Sequence, residues 1–406
     1  MTGKAKRRRL GMESLEQKAL LAGDVGVAIV DGDLFITGDD LGNRIEISAG
    51  SEGEFVITGL PTGEGETTIN GSAEAFVATD FTGNVFVDTG AGDDEVVVGN
   101  VQLDGNLAIN TGADNDTVIV GGAAVEADGT SLSVGGNLRI STGAGDDTVI
   151  LGGALNDGAE LSADVALAVG GNVQVDTGDG ADRVAGVGLS IDGNLAINAG
   201  TGDDQVTLGS AISLDGAVDP VLVEGAEAQL DVRGSLFANL GAGNDTLEID
   251  SAVVAKNTLV HDHQGDNLIA LTDVEVGKML SVITGKGVDD VLLDTVAADH
   301  LKLLTGAGDD TVSLVETATD RLHMMLGKGD DVISMVDTSV ARMALLHGGQ
   351  GMNTLEQVGD SVVEKLKSLR FEPLDPILDQ PLDPILNQGR GLLNNAGKVG
   401  KGLLRR

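Results

Sequence analysis

The chain of 406 residues has no cysteine, no tryptophan and no tyrosine, and only seven phenylalanines and six prolines. Without cysteine there can be no disulfide, no thiolate metal site and no cysteine nucleophile. Without large aromatic rings a broad globular core is hard to fill, because those side chains normally supply much of the buried area. Hydrophobic residues make up 41% of the chain and are almost all Val, Ile, Leu and Ala, which suits a narrow interior. Basic residues are also scarce, 25 against 64 acidic ones, for a net charge of −39. That field excludes nucleic acid and anionic membrane surfaces as partners of the body of the protein. No run approaches the ~18 apolar residues of a transmembrane helix, and no apolar signal-peptide core follows Met1.

What is abundant is glycine, 61 residues of it, and the glycine is periodic. Residues 83–98 are GNVFVDTGAGDDEVVV, residues 105–120 GNLAINTGADNDTVIV, residues 136–151 GNLRISTGAGDDTVIL and residues 193–208 GNLAINAGTGDDQVTL. The first Gly of each Gly-x-Gly-x-Asp core, or its equivalent, falls at 90, 112, 143, 178, 200, 241, 263, 285, 306, 327 and 349. Most steps are 21 or 22 residues. The three longer ones carry insertions at one place in the unit, near 121–135, 152–170 and 209–233. A fixed period with insertions at one point is the signature of a solenoid with loops on one side.

Within a unit, apolar residues alternate with polar ones in three short bursts separated by Gly, Asn and Asp: Val101 and Leu103, then Leu107 and Ile109, then Val118 and Val120. That is the pattern of short strands and turns. A helix would have to carry the glycines in its interior at ~1 kcal/mol each. An aliphatic residue follows the acidic core in all eleven copies, from Val96 to Leu355. The expected fold is all-β: a single-stranded parallel β-helix with three strands per coil of about 22 residues. The chain divides into a basic N-terminal segment (1–24), irregular starting coils (25–82), eleven coils (83–358) and a C-terminal cap and tail (359–406).

The acidic turn resembles the calcium-binding nonapeptide of the repeats-in-toxin family, Gly-Gly-x-Gly-x-Asp-x-aliphatic-x. Residues 89–97, TGAGDDEVV, depart from it only at the first Gly. The longer unit, with one such core, sets it apart from the shorter-period β-roll of that family. The resemblance implies Ca2+ held between coils by Asp94, Asp116, Asp147, Asp182, Asp204, Asp245, Asp289, Asp310 and Asp331, with Asn267 and Asn353 in the other two copies. Elementary electrostatics points the same way. Stacked coils would set these carboxylates about 5 Å apart, where like charges repel by ~1 kcal/mol in water and several times that at a protein surface. Asp93, Asp146, Asp203, Asp309 and Asp330 form a second acidic column beside the first. Turn chemistry alone needs Gly and one Asp or Asn; nine Asp in eleven copies calls for a cation, and Ca2+ accepts carboxylate and carbonyl oxygens in flexible geometry.

Asn84, Asn106, Asn137, Asn172, Asn194 and Asn257 make a column suited to side-chain hydrogen bonding along the axis. Thr89, Thr111, Thr142, Thr177, Thr284 and Thr305 make a broken Thr column, unlike the unbroken flat array an ice-binding face would need. A polysaccharide lyase or hydrolase, whose site the three insertions would form, is the alternative from another class. Against it stand the few basic residues between 19 and 255 (Arg44, Arg139, Arg183, Arg233) and the lack of aromatic sugar platforms. His261-Asp262-His263 has no third ligand nearby in the sequence and marks a degenerate coil.

At the N-terminus, Leu15, Glu16, Leu20, Leu21, Ala22, Gly23 and Asp24 resemble the Leu-Glu-x-Arg-x-Leu-Leu-Ala-Gly-Asp motif of bacterial exported surface proteins, with Lys18 for Arg. The resemblance implies a secreted or cell-surface protein. At the other end SVVEKLKSLRF (361–371) has the spacing of an amphipathic capping helix, and PLDPILDQ from Pro373 recurs from Pro381. The sequence thus leads to an exported, calcium-stabilised structural or adhesive rod without catalysis, whose partners are a cell-envelope or matrix component or other copies of itself.

Overall fold

The computed structural model describes residues 23–371 apart from 51–53, 63–64, 80, 100, 124–131, 156–160, 163–165 and 210–229. Among the described residues there is no helix; the chain is a parallel β-helix. Each coil contributes one strand to each of three stacked faces. Face one follows the acidic turn, face two the corner where the insertions lie, and face three leads back to the turn.

Register on face one is unbroken. Ile45 pairs with Val96, then Val118, Val149, Val184, Val206, Leu247, Ile269, Val291, Val312, Ile333 and Leu355 succeed one another. All but the last are buried at 0 or 1% exposure, so the aliphatic residue after each turn lines the interior. On face three the equivalent series runs from Leu34 through Val85, Leu107, Leu138 and Val173 to Ala344 and Leu366. Alternation puts one residue of each pair inside and the next outside. No coil could bury its apolar face alone; each is covered by the coils above and below.

Two features depart from simple stacking. Residues 24–78 supply parallel strands to the first coil (Asp33–Thr37 and Arg44–Ala49), but these are flanked on their outer side by antiparallel strands, Asp24–Val30 and Phe55–Gly59. Reversed strands end the parallel edge there, which would otherwise template further pairing. At the far end, the helix expected over 361–371 is absent. Val362–Val363 and Leu366–Leu369 are strands that pair in parallel with Ser339–His347. The open edge of the preceding coil offers a ready row of hydrogen bonds, and that outweighs a helical spacing of three apolar residues.

The outer side of face one carries a second apolar cluster, Val97, Ile119, Ile150 and Ala185, all buried although they point away from the interior. They stand next to the corner from which the first two insertions leave. The insertions themselves, the exported-protein motif before Gly23 and the Pro-rich tail after Phe371 lie outside the described residues, save for short stretches such as Leu161–Ser162, which pairs antiparallel with Ala154–Leu155.

Candidate cation-binding turns

Most acidic turns join face three to face one through two glycines with positive φ, such as Gly178 and Gly180; in the turn after Gly112 the second place is taken by Asp114, at φ +79°. At Gly180 φ is +145°, and a Cβ there would lie 1.8 Å from the carbonyl oxygen of Gly145 in the coil before. The Gly-x-Gly pattern therefore answers two demands, a left-handed backbone and carbonyls packed against the next coil.

The nine aspartates of the repeat stack as a ladder. The main-chain N–H of Asp94 donates to Oδ1 of Asp116 at 2.9 Å, Asp116 to Asp147 at 2.8 Å, Asp147 to Asp182 at 2.9 Å, Asp182 to Asp204 at 2.9 Å and Asp204 to Asp245 at 2.9 Å. Asp289 donates to Asp310 at 3.0 Å and Asp310 to Asp331 at 3.1 Å. Asn267 and Asn353 hold the same place, accepting on Oδ1 from Asp245 and Asp331. Asn43, which the sequence pattern did not reveal, begins the ladder by donating its N–H to Asp94 Oδ1 at 2.7 Å.

All nine aspartates are no more than 3% exposed, and in all nine Oδ2 is buried without a hydrogen-bond partner. Asn shows what surrounds that second atom. Asn43 Nδ2 donates to the carbonyls of Leu41 (2.6 Å), Asp39 (3.2 Å) and, in the next coil, Thr89 (3.3 Å). Asn267 Nδ2 donates to Gly265 O at 2.9 Å, and Asn353 Nδ2 to Arg370 O of the next coil at 3.3 Å. Where the column has Asn, its amide donates to surrounding oxygens, all main-chain carbonyls at Asn43 and a mixture of carbonyl and carboxylate at Asn267. Where it has Asp, an oxygen takes the place of that donor, and oxygen meets oxygen.

Such a carboxylate must gain a proton or a cation. Burial pushes Asp94, Asp245 and Asp310 up to about 6 and Asp116 and Asp204 up to about 7, opposed in each by the N–H of the preceding coil on Oδ1. Asp147, Asp182, Asp289 and Asp331 are raised for the same first reason, desolvation. Most of the Thr column is turned inward beside these carboxylates: Thr177, Thr284 and Thr305 are 0–3% exposed and donate to carbonyls of the next coil. It presents no face to solvent.

The second acidic column is separate. Asp93, Asp146, Asp203, Asp309 and Asp330 are exposed, and each Oδ1 accepts from a main-chain N–H of the following coil. Among the described residues no three His, Cys, Asp or Glu side chains converge on one point. A cation in these turns would thus draw most of its oxygens from the main chain. His261 and His263 lie on the outer side of their strand with ring centroids 4.4 Å apart, while Asp262 between them points inward and is 1% exposed.

The Asn column is continuous. Nδ2 of Asn106, Asn137, Asn172 and Asn194 each donates to Oδ1 of the Asn one coil earlier, at 2.7–3.2 Å, and Asp33 and Ser235 extend the series beyond the asparagines.

No protein-family model matches the chain. No curated protein matches it either. Among solved structures it is similar to the crystal structure of a hyperactive, Ca2+-dependent, β-helical antifreeze protein from an Antarctic bacterium, with 22% identity over 77% of this chain and 85% of that one and a TM-score of 0.36.

Proposed function

We propose that the protein is a non-enzymatic β-helical structural or adhesive element of the bacterial cell surface, exported and held rigid by a line of Ca2+ ions in its acidic turns. The observation that carries the calcium is the set of oxygens around the amides of Asn43 (three main-chain carbonyls) and Asn267 (the Gly265 carbonyl and the carboxylates of Asp262 and Asp289), where nine equivalent turns place a buried carboxylate oxygen with no partner. One uncompensated buried polar atom costs about 1–3 kcal/mol. Nine of them would rival the whole stability of an ordinary domain. A hard cation with flexible coordination satisfies carboxylate and carbonyls together, and carries positive charge into a chain of net charge −39. The outer aspartates lie on the solvent side of the same turns and would add attraction at longer range.

Ca2+ that binds only the folded chain stabilises it by mass action. The full chain should therefore melt at a clearly higher temperature in millimolar Ca2+ than in chelator, with saturable uptake of several ions per chain. Equal melting temperatures and no retained Ca2+ would remove the metal from this account. The surface role rests on the exported-protein motif at Leu15–Asp24 and on a solenoid body with little basic charge in its first half, and its partner would be a cell-envelope or matrix component or another copy. Fractionating cells that express the full chain, with its location read by antibody, tests export; retention in the cytosol would refute it.

A further inference from the structure

One coil breaks the pattern in two places at once. Asn267 stands where the column has Asp, and Asp262, five residues earlier, stands where other coils have Thr89, Thr111, Thr142, Thr177, Ala199, Leu240, Thr284, Thr305 or Leu326. In this described series Asp262 is the one ionisable residue. The ladder register slips here as well: Asn239 pairs with His261, but Gly241 pairs with Asp262 and Ala242 with Gln264, so that His263, the period equivalent of Gly241, is left over. A bulge of this kind re-aims a side chain.

The re-aimed side chain is fully enclosed. Asp262 is 1% exposed; its Oδ2 accepts from Asn267 Nδ2 at 2.7 Å, and its Oδ1 is buried with no partner. Asn267 Nδ2 also donates to Gly265 O and to Asp289 Oδ1, both at 2.9 Å, so it fixes Asp262 in place. On the other side of Asp262 lies Asp245 of the preceding coil, 1% exposed, with Oδ1 taken by the Asp204 N–H and Oδ2 unpartnered. The two carboxyls are close enough to act directly on each other, and burial together with that contact pushes Asp262 up to about 7. Elsewhere a turn presents one orphan carboxylate oxygen; here two, from successive coils, meet in one.

We infer that Asp245 and Asp262 together form the tightest Ca2+ site of the column, a two-carboxylate turn among single-carboxylate ones. The inference rests on the reading of the acidic turns as Ca2+ sites. Its physical basis is that the number of charged ligands tunes calcium affinity over decades. The coil that lost its carboxylate at Asn267 has regained one at Asp262 and delivered it to its neighbour's turn.

The test uses the full chain and Ca2+ in competition with a chromophoric chelator, with ions retained after gel filtration counted by mass spectrometry. Asp262→Thr restores the residue usual at this position and removes a buried charge, so in chelator it should melt no lower than wild type. In Ca2+ the expected result is loss of the tightest binding step, by about tenfold or more in affinity, with the remaining steps unchanged. Asp262→Asn, which keeps the shape, should do the same. Asp93→Asn, on the exposed column, should leave the tightest step in place. If wild type binds several ions and Asp262→Thr keeps the same tightest step, Asp262 is no ligand, the pair instead shares a proton, and the inference fails while the general reading stands. If wild type binds no Ca2+, both fail together.

Discussion

The main-chain N–H of Asp94 donates to Oδ1 of Asp116 at 2.9 Å, and the other oxygen of that carboxylate is buried with no partner. This one relationship, repeated along the column, gives each aspartate two tasks. Oδ1 ties its coil to the one before, and Oδ2 stores a demand for positive charge. An asparagine could perform the first task and, through Nδ2, needs no cation for the second, as Asn353, near the last coil of the ladder, illustrates.

Acid should stabilise the metal-free protein. The folded-state affinities for protons of Asp94, Asp116, Asp204, Asp245 and Asp310 lie at about 6 or 7, above the ordinary carboxylate value of 3.8. Between those values the folded chain binds more protons than the unfolded one, so stability falls as pH rises through this window and is regained on acidification. In chelator the melting temperature should be higher near pH ~5 than near pH ~8. Ca2+ competes with these protons, so the gain it confers should be largest near pH ~8 and shrink toward pH ~5. A chelated protein that melts lower at the acid end would contradict the desolvated carboxylates.

Asp204→Asn should change sign with metal. In chelator an amide in place of Oδ2 can donate to the turn carbonyls as Asn43 and Asn267 do, relieving one orphan and gaining about 1–3 kcal/mol. In saturating Ca2+ the same variant has one ligand charge fewer and should be less stable than wild type. Denaturant titrations with and without Ca2+ decide it; a variant less stable in both would mean that Oδ2 has partners beyond those described.

Much of this was open to inspection in the sequence, and the reason is the period. A 22-residue repeat places Val96 with Val118, and Val184 with Val206, in one register and leaves no freedom about which face they line. The buried aspartates and the Asn ladder were legible for the same reason. What escaped was whatever left the period. Asn43 belongs to the ladder but stands 51 residues before Asp94, across the antiparallel strands of the first coil. Asp262 is visible only by asking which charged residue occupies a Thr, Ala or Leu position. Val97, Ile119 and Ile150 are buried on the outer side of face one, which alternation within the unit cannot reveal. Over 361–371 the spacing of Val362, Leu366 and Leu369 suited helix and strand equally, and an available parallel edge decided between them.

Gly180→Ala should destabilise the stack in any buffer. With φ at +145° and the Gly145 carbonyl oxygen 1.8 Å from the new Cβ, both backbone conformation and coil spacing must give. Strain of that kind costs about 1–3 kcal/mol before the clash is counted. Thermal melts should show a loss at least that large, and Ca2+ should not rescue it. Gly71→Ala is the control: its φ is +73° but nothing lies within 4 Å, so only the conformational part of the loss should remain.

Asn137→Ala should weaken the coil stack independently of metal. Asn137 Nδ2 donates to Asn106 Oδ1 at 3.0 Å, and its own Oδ1 accepts from Asn172 N and Nδ2 at 2.9 and 3.1 Å. Removing it breaks three hydrogen bonds, but the site is exposed, so water replaces part of what is lost. Each bond is worth about 0.5–1.5 kcal/mol, and the net loss should fall near 1–2 kcal/mol. The variant should keep the full Ca2+ stoichiometry, because the Asn column lies on the far side of face three from the acidic turns, with strands such as Leu138–Ala144 between them. Hydrogen exchange of the Asn172 amide reports the lesion locally, and faster exchange there with unchanged calcium binding is the expected pattern. Loss of bound Ca2+ in this variant would mean that the two columns are coupled through the strand, and that the ladder positions the turn as well as holding the coil.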